Sequence, residues 1–409
     1  IFGGKYMQKI ILNNGVRLLY KFKDIEHTSF CISLESGANA ENKDEIGMAH
    51  ALEHILFKGN EKLKEDEINE KLDDLFGFNN AMTNFPYVIY YGTTAKEDFE
   101  EGFSLYSDIV LNSDLQEFGF SEELNVIKQE SDEWKEDLEQ HVEDLALMNG
   151  LPDERIGNLI IGEKNHIEAI SFKGLKDFYE KNYLSENMVV SVVSSLPLEK
   201  VKEIVEKNFN RAKRGKISKY SLERNINCGI FSKKIEGNTG AKICCLFDIN
   251  DLSMEEVTLL KVFNLWFGEG VSSVLYDEIR TKNGLAYEVY SEVKYEKGIR
   301  LFKIYLGTSK EKEEEALGLI EKCISKAMNI EDYLSEEGLN KLIKRFKLKN
   351  SLDLEKSIVL ANRMAIYETM FNRGEYIFEE LNLVENLSLK DIKNLIKRVL
   401  KKSIVQIIN

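Results

Sequence analysis

Proline, tryptophan and histidine are scarce in this chain of 409 residues, which has three Pro, two Trp and five His. No apolar run is long enough to span a membrane, and no secretory leader is visible. The five Cys are odd in number and irregularly spaced, which excludes a disulfide scaffold and favours a reduced, cytoplasmic protein. The 70 acidic residues outnumber the 55 basic ones, and the net charge of −15 argues against nucleic acid or an anionic membrane surface as the main partner.

Two of the five His fall within one short pattern, H-x-x-E-H, from His50 to His54. The surrounding residues predict a helix over about 44–58, with Asp44 as its N-cap. Residues four apart share a helix face, so the two imidazoles can reach one metal ion, and Glu53 can touch a water on it. This is the arrangement of the inverted zincins. The alternative is a chance meeting of these side chains on an amphipathic helix.

A second predicted helix, from Ser121 to about residue 140, places two carboxylates on one face with two large apolar side chains. That face carries Glu123, Ile127, Glu130 and Trp134. A carboxylate turned toward a core needs a partner, because burying an unpaired charge is costly. A metal ion is one such partner, and a Lys or Arg from elsewhere in the chain is the other.

Each half of the chain closes with a Ser-capped helix that leads into an apolar strand. The two serines, Ser171 and Ser388, are 217 residues apart, about half of the chain. This repeat predicts two homologous domains, at 1–214 and 215–409, joined through the basic segment 210–218. Strands mixed with long helices in both halves predict an α+β fold, in which each domain is a mostly antiparallel sheet covered by helices on one side.

These elements resemble the pitrilysin/insulinase family of zinc peptidases, which includes the mitochondrial processing peptidases. In that family a glutamate on a later helix completes the H-x-x-E-H site, and another glutamate lies seven residues before it. Here Glu130 lies 76 residues after His54, and Glu123 lies seven before Glu130. The resemblance covers nearly the whole chain and implies a zinc-dependent endopeptidase.

The same resemblance implies a role for each motif residue of the first half. His50, His54 and Glu130 would hold Zn²⁺, and Glu53 would act as the general base. Glu123 would orient the zinc helix or one of the metal ligands without binding the ion itself. The alternative for Glu123 is a plain carboxylate on the helix surface.

Two further elements match the family and imply substrate contacts. An Asn-Ala-x-Thr element comprises Asn80, Ala81 and Thr83, and would bind an extended peptide as an added strand at a sheet edge. Arg280 and Tyr287, in an R-x-x-x-G-L-A-Y-like context, would bind the carbonyl oxygen of the cleaved bond. The alternatives are a turn residue for Asn80, a solvated helix end for Arg280 and a core side chain for Tyr287.

Family members of this length assemble two chains, so the presence of both motifs in one chain implies a homodimer that closes around unfolded peptides. The resemblance is to the two-domain bacterial type, and together with the reduced cysteines it leads us to expect a protein of the bacterial cytoplasm. Two alternatives remain open at this point. One is a non-catalytic member that serves as scaffold or partner of a processing peptidase. The other is a small H-x-x-E-H lyase that completes its metal site with Cys.

Overall fold

The computed structural model describes residues 7–112, 114–217 and 225–409. Helices and strands alternate along the chain. The elements up to the predicted linker are β1 (Gln8–Ile11), β2 (Arg17–Phe22), β3 (His27–Leu34), α1 (Met48–Leu56), α2 (Glu65–Leu75), β4 (Phe76–Thr83), β5 (Val88–Ala95), α3 (Phe99–Val110), α4 (Phe120–Glu136), α5 (Leu138–Gly150), α6 (Lys164–Ala169), α7 (Phe172–Asn182), β6 (Met188–Ser194) and α8 (Leu198–Phe209).

The second half of the chain has the same mixture. Its elements are β7 (Gly229–Lys233), β8 (Gly240–Asp248), α9 (Met254–Phe267), a π-helical segment (Tyr276–Thr281), β9 (Glu288–Glu296), β10 (Ile299–Ser309), α10 (Glu313–Met328), α11 (Glu336–Glu355), α12 (Ser357–Phe371), α13 (Tyr376–Leu383), α14 (Leu389–Val399) and β11 (Ser403–Ile408). Within the described ranges, no helix combines the length and apolarity that crossing a membrane requires.

The chain divides into two compact units, each built on one sheet. Unit 1 lies within Ile1–Asp132, Leu159–Leu222 and Leu352–Ile377. Unit 2 lies within Glu133–Asn158, Glu223–Ser351 and Phe378–Asn409. Each unit therefore takes one helical segment from the other half of the chain. The predicted boundary between the two homologous domains, at residues 214 and 215, stays a prediction. The last residue of the predicted linker, Ser218, lies outside the described residues.

The sheet of unit 1 has the order β1-β2-β6-β3-β5-β4, and only the β2–β6 pair is parallel among its neighbours. Alternation along β3 separates its two faces. Phe30 and Ile32 join the apolar core under α1, α3, α7 and α8. Ser29 and Ser33 face the other way and bond to Ser357 and Thr369 of α12, at 2.8 Å each. A helix from late in the chain thus covers the second face.

Unit 2 repeats this plan with the order β7-β11-β8-β10-β9, in which β7–β11 is the parallel pair. Phe302 and Ile304 of β10 join the core under α9, α10 and α14. Lys303 points to the opposite face and contacts Glu143 of α5 at 2.8 Å. Here the helix on the second face comes from early in the chain.

The predicted α+β fold with two related, mostly antiparallel sheets is confirmed. Strands β2, β6, β3, β5 and β4 correspond in order and direction to β7, β11, β8, β10 and β9. The repeat that suggested the duplication has the predicted local form, because Ser171 and Ser388 cap α7 and α14 by accepting from the backbone N–H three residues on. The main helical layer lies on one face of each sheet, and the exchanged helix lies on the other.

One local prediction needs correction, and one alternative is excluded. The acidic helix is not continuous to residue 140, because α4 ends at Glu136 and Asp137 caps α5 by accepting from the N–H groups of Glu139 and Gln140. The Asn-rich segment after α2, for which a turn was an alternative, is the edge strand β4. Asn and Gly are poor strand formers, and pairing with β5 outweighs that preference.

Candidate metal centre

Helix α1 positions the H-x-x-E-H residues on the surface of the unit 1 core. Gly47 has a left-handed φ of 89° and is the N-cap. The Glu41 carboxylate accepts from the N–H of Gly47 at 3.1 Å and of Ala49 at 2.8 Å, so Glu41, and not the predicted Asp44, satisfies the helix start. The apolar face of α1 is buried, which fixes the rotation of the helix and the direction of the motif side chains.

His50, His54 and Glu130 converge on one point. The Nε2 atom of His50 lies 3.6 Å from Oε1 of Glu130, and the Nε2 atom of His54 lies 3.6 Å from Oε2 of the same carboxylate. One donor atom from each of the three residues lies within 4.8 Å of the others. No cysteine belongs to this group in the part of the chain that the structure describes, and Cys31 is buried in the sheet.

This donor set fits Zn²⁺. A tetrahedral ion with bonds of about 2.1 Å holds its ligand atoms about 3.4 Å apart. The distances from Glu130 to the two histidine Nε2 atoms, 3.6 Å each, are close to that value. Burial, aided by the nearby charge of His54, lowers the pKa of His50 to about 3, so its imidazole is neutral and able to ligate above that pH. Two histidines and one carboxylate are the ligand composition of catalytic zinc sites, which keep a fourth position for water.

A second carboxylate, that of Glu123, contacts the His54 ring at the nitrogen that does not face Glu130. Oε1 of Glu123 lies 2.8 Å from Nδ1 of His54, on the side of the ring away from Glu130. The other oxygen of Glu123 lies 2.9 Å from Nζ of Lys58, which also contacts Glu65 at 2.7 Å. Burial raises the pKa of Glu123, but the hydrogen bonds from His54 and Lys58 outweigh it and hold that pKa below its usual value. Glu123 therefore stays ionised behind the histidine.

The candidate base, Glu53, contacts the edge strand. Oγ1 of Thr83 donates to Oε2 of Glu53 at 2.6 Å. Burial raises the pKa of Glu53, and the hydroxyl and backbone of Thr83 oppose that shift without cancelling it. A raised pKa brings a carboxylate nearer to the pH at which it can both take up and release a proton.

The Asn-Ala-x-Thr element lies along β4, at the free edge of the unit 1 sheet. Asn80 is exposed, and its side-chain oxygen accepts from the N–H of Ala81 at 2.9 Å. Ala81 packs against the core and Thr83 faces Glu53. The predicted sheet-edge location is therefore observed, while contact of these residues with a peptide stays a prediction.

Arg280 and Tyr287 belong to unit 2, whereas the metal group belongs to unit 1. Arg280 is exposed near the end of the π-helical segment, with its guanidinium 5.0 Å from the Tyr276 ring centroid. Tyr287 directly precedes β9 and is 74% exposed, which excludes the core position considered for it. Segments of π-helix are rare and often occur at functional sites.

Sequence reasoning missed Lys58, Glu41 and the pairing of Thr83 with Glu53. Lys58 lies four residues after His54, so helical spacing alone could have shown that it shares the face of the metal ligands. Glu65 and Thr83 lie on other elements, and no local pattern reveals their contacts.

Two family models match the chain. Residues 21–164 match the model described as Insulinase (Peptidase family M16), and residues 169–346 match the model described as Peptidase M16 inactive domain. The metal group, Glu53 and Glu123 fall in the first range, and Arg280 and Tyr287 fall in the second.

Relatives with known names agree with these models. A Rickettsia bellii protein named as an uncharacterized zinc protease is 26% identical over 96% of this chain and 94% of its own length. The mitochondrial-processing peptidase subunit beta of Saccharomyces cerevisiae is 29% identical over 48% of this chain and 43% of its own length.

Solved structures share the fold. A protease from Helicobacter pylori superposes with a TM-score of 0.90 at 19% identity, covering 99% of this chain and 100% of that one. A structure from Pseudomonas fluorescens, described as a peptidase M16 inactive domain, gives a TM-score of 0.88 at 15% identity, covering 98% and 97%. From the matched models and these relatives, we conclude that the chain belongs to the insulinase (pitrilysin) family, peptidase family M16.

Proposed function

We propose that the chain is a zinc-dependent endopeptidase that hydrolyses unfolded peptides bound in extended form. The observation that carries the proposal is the convergence of His50, His54 and Glu130 with Glu53 on the same helical turn. Several relatives named zinc proteases support it, because they align over most of this chain.

His50, His54 and Glu130 would hold the ion. Zn²⁺ bound there supplies Lewis-acid chemistry that lowers the pKa of a water to roughly 7. Glu53 takes the proton from the attacking water and returns it to the amine of the cleaved peptide bond. The raised pKa of Glu53 favours both steps, because it brings the carboxylate nearer to the pH at which it can take up and release a proton. Glu123 fixes the orientation of the His54 ring by accepting from Nδ1, so that Nε2 faces the ion site.

An extended peptide would add to β4 as a further strand, with backbone hydrogen bonds supplying affinity and few demands on sequence. Asn80, Ala81 and Thr83 line that strand. The exposed donors Arg280 and Tyr287 would stabilise the negative charge that develops on the carbonyl oxygen. We further propose a homodimer, in which each metal site receives Arg280 of the partner subunit and Tyr287 of the partner subunit.

The bacterial cytoplasm is the compartment that we propose, since all five cysteines are free thiols and four of them are buried. The competing function is a non-catalytic member that acts as scaffold or partner of a processing peptidase. The description "inactive domain" favours it only weakly, because it concerns residues 169–346, whereas the metal group lies in the range of the insulinase model.

The test is peptide cleavage by zinc-loaded protein. A library of quenched fluorescent peptides is incubated with the wild type, with Glu53→Gln and with Glu70→Gln, an exposed glutamate of α2 that serves as the matched control. We expect cleavage by the wild type and by Glu70→Gln, and none by Glu53→Gln at unchanged zinc content. Zinc-loaded wild type that cuts no peptide would favour the scaffold.

A further inference from the structure

Thr83 connects the candidate base to the edge strand. It is the last residue of β4, and its hydroxyl donates to Glu53 at 2.6 Å, a short distance for such a bond. Glu53 lies on α1, so the bond joins two different elements through residues that are 30 positions apart in the chain. The family resemblance of the Asn-Ala-x-Thr element implied contact with a peptide, whereas the observed partner of this hydroxyl is the carboxylate.

The geometry of a carboxylate explains why one bond matters. The Glu53 side chain has three rotatable torsions. A base that moves among many rotamers spends only a small fraction of its time directed at the attacking water. A hydroxyl that holds one oxygen fixes the plane of the carboxylate, and thereby the direction of the other oxygen. Thr is suited to this task, because its β-branched side chain is restricted in χ1 and sits rigidly on a strand.

We propose that Thr83 is a positioning residue that holds Glu53 in the orientation needed for proton transfer. The inference rests on the proposed peptidase function and deepens it, because it changes the role of Thr83 from binding the peptide to aligning the base. Since β4 is also the strand proposed to receive the peptide, the substrate edge and the base are mechanically connected through this one side chain.

The two roles predict different kinetics. Loss of a peptide contact raises KM, whereas loss of base alignment lowers kcat at unchanged KM. Thr83→Val keeps the shape and removes the hydroxyl, and Thr83→Ser keeps the hydroxyl. We expect Thr83→Val to lower kcat by roughly 10- to 100-fold, with KM within about twofold of the wild type, and Thr83→Ser to retain most of the activity. Zinc content should be the same in all variants.

A matched control comes from the neighbouring strand. Thr93 of β5 pairs its hydroxyl with Ser29 at 2.8 Å and has no part in the proposed chemistry. Thr93→Val should leave kcat and KM unchanged. A Thr83→Val protein with wild-type kcat, or one whose only defect is a raised KM, would overturn the positioning role. Equal loss of kcat in the Ser and Val variants would do the same, because the hydroxyl would then be irrelevant.

A second readout does not depend on activity. In the metal-free protein, the unfolding midpoints of wild type, Thr83→Val, Glu53→Ala and the double variant form a double-mutant cycle. We expect Thr83→Val to shift the midpoint in the wild-type background and to have little effect once Glu53 is absent. Additive shifts would contradict a direct bond. If the wild type cleaves nothing, the peptidase proposal fails, and this cycle alone decides whether Thr83 holds Glu53.

Discussion

Glu123 contacts His54 on the side of the imidazole ring opposite to Glu130. Its Oε1 lies 2.8 Å from Nδ1, while Nε2 of the same ring lies 3.6 Å from Glu130. A carboxylate at Nδ1 holds the proton there and leaves the lone pair of Nε2 for the metal. Lys58 fixes Glu123 in turn from its other oxygen. By contrast, the buried Nδ1 of His50 has no hydrogen-bond partner among the described residues. Of the two histidines, only His54 therefore has a carboxylate partner at Nδ1 among the described residues.

This asymmetry predicts the effect of removing Glu123. Glu123→Ala should weaken zinc affinity by about 10- to 100-fold, the usual cost of losing such a partner, while leaving one ion per chain at saturation. Glu122→Ala is the matched control, because Glu122 is exposed on the same helix. Titration with a competing chelator measures both affinities. Equal zinc affinity for the two variants would contradict the supporting role.

Glu130 should matter more than Glu123, because it contributes a ligand atom. Glu130→Gln replaces a charged oxygen donor with a neutral amide, so we expect a loss of zinc affinity larger than that of Glu123→Ala. Glu133→Gln, an exposed change one turn further along α4, should bind zinc as the wild type does. Full zinc occupancy of Glu130→Gln at wild-type affinity would remove the proposed coordination sphere.

The buried charge cluster on the exchanged helix of unit 2 predicts a change in stability. Glu143 on α5 lies between Lys294 and Lys303 of the sheet, and these lysines lower its pKa although burial opposes the shift. Glu143→Gln would leave buried Lys303 with Glu292, at 3.0 Å, as its remaining carboxylate partner, so we expect a cost of about 1.5–3 kcal/mol in the free energy of unfolding.

The control for that change is an exposed pair of the same type. Glu337 contacts Lys341 at 2.7 Å on α11, with both side chains more than three-quarters exposed. Glu337→Gln should change the free energy of unfolding by less than about 1 kcal/mol. Denaturant unfolding of the three proteins measures the difference, and equal effects of the two substitutions would show that the buried cluster contributes no special stability.

The pKa of His50 predicts how stability depends on pH in the metal-free protein. Its folded value of about 3 lies below the unfolded value of about 6.5, so the unfolded state binds more protons between these values. The contribution is therefore present above about pH 6.5 and is lost as the pH falls toward 3. From about pH 7.5 to about pH 5, wild type should lose about 2 kcal/mol more than His50→Gln, which cannot titrate. Parallel pH profiles for the two proteins would contradict a depressed pKa.

The metal group could be predicted from the sequence because its determinants are local. Helical spacing brings His50 and His54 together, and the spacing of Glu123 and Glu130 gives them one face of a second helix. Only their meeting in space required the family resemblance. The contacts of Thr83 and Glu65 have no such period, since each joins residues on different elements.

The exchanged helices could not be predicted for a related reason. Composition shows that α12 has an apolar character, but it does not show which sheet the helix covers. That choice depends on contacts such as Ser29 with Ser357 and Ser33 with Thr369, which join residues more than 300 positions apart. Small polar side chains carry no pairing information in a single sequence. The duplication of the domain, in contrast, could be predicted from its local helix-and-strand ending.

The proposed homodimer predicts that two inactive proteins can restore activity when mixed. Glu53→Gln damages the base and Arg280→Ala damages the donor, so each protein alone should be inactive. If Arg280 serves the metal site of the partner subunit, a mixed dimer has one intact site and one doubly damaged site. Equal mixing gives half mixed dimers, and the expected recovery is about a quarter of wild-type activity.

A second mixture provides the control. Glu53→Gln and Glu130→Gln both damage the metal-bearing half of the site, so their mixed dimer has no intact site and should stay inactive. Exchange of subunits is verified with two affinity tags before either assay is read. If exchange is complete and the first mixture stays as inactive as the second, Arg280 acts within its own chain or not at all. In either case the active site would not be shared between subunits.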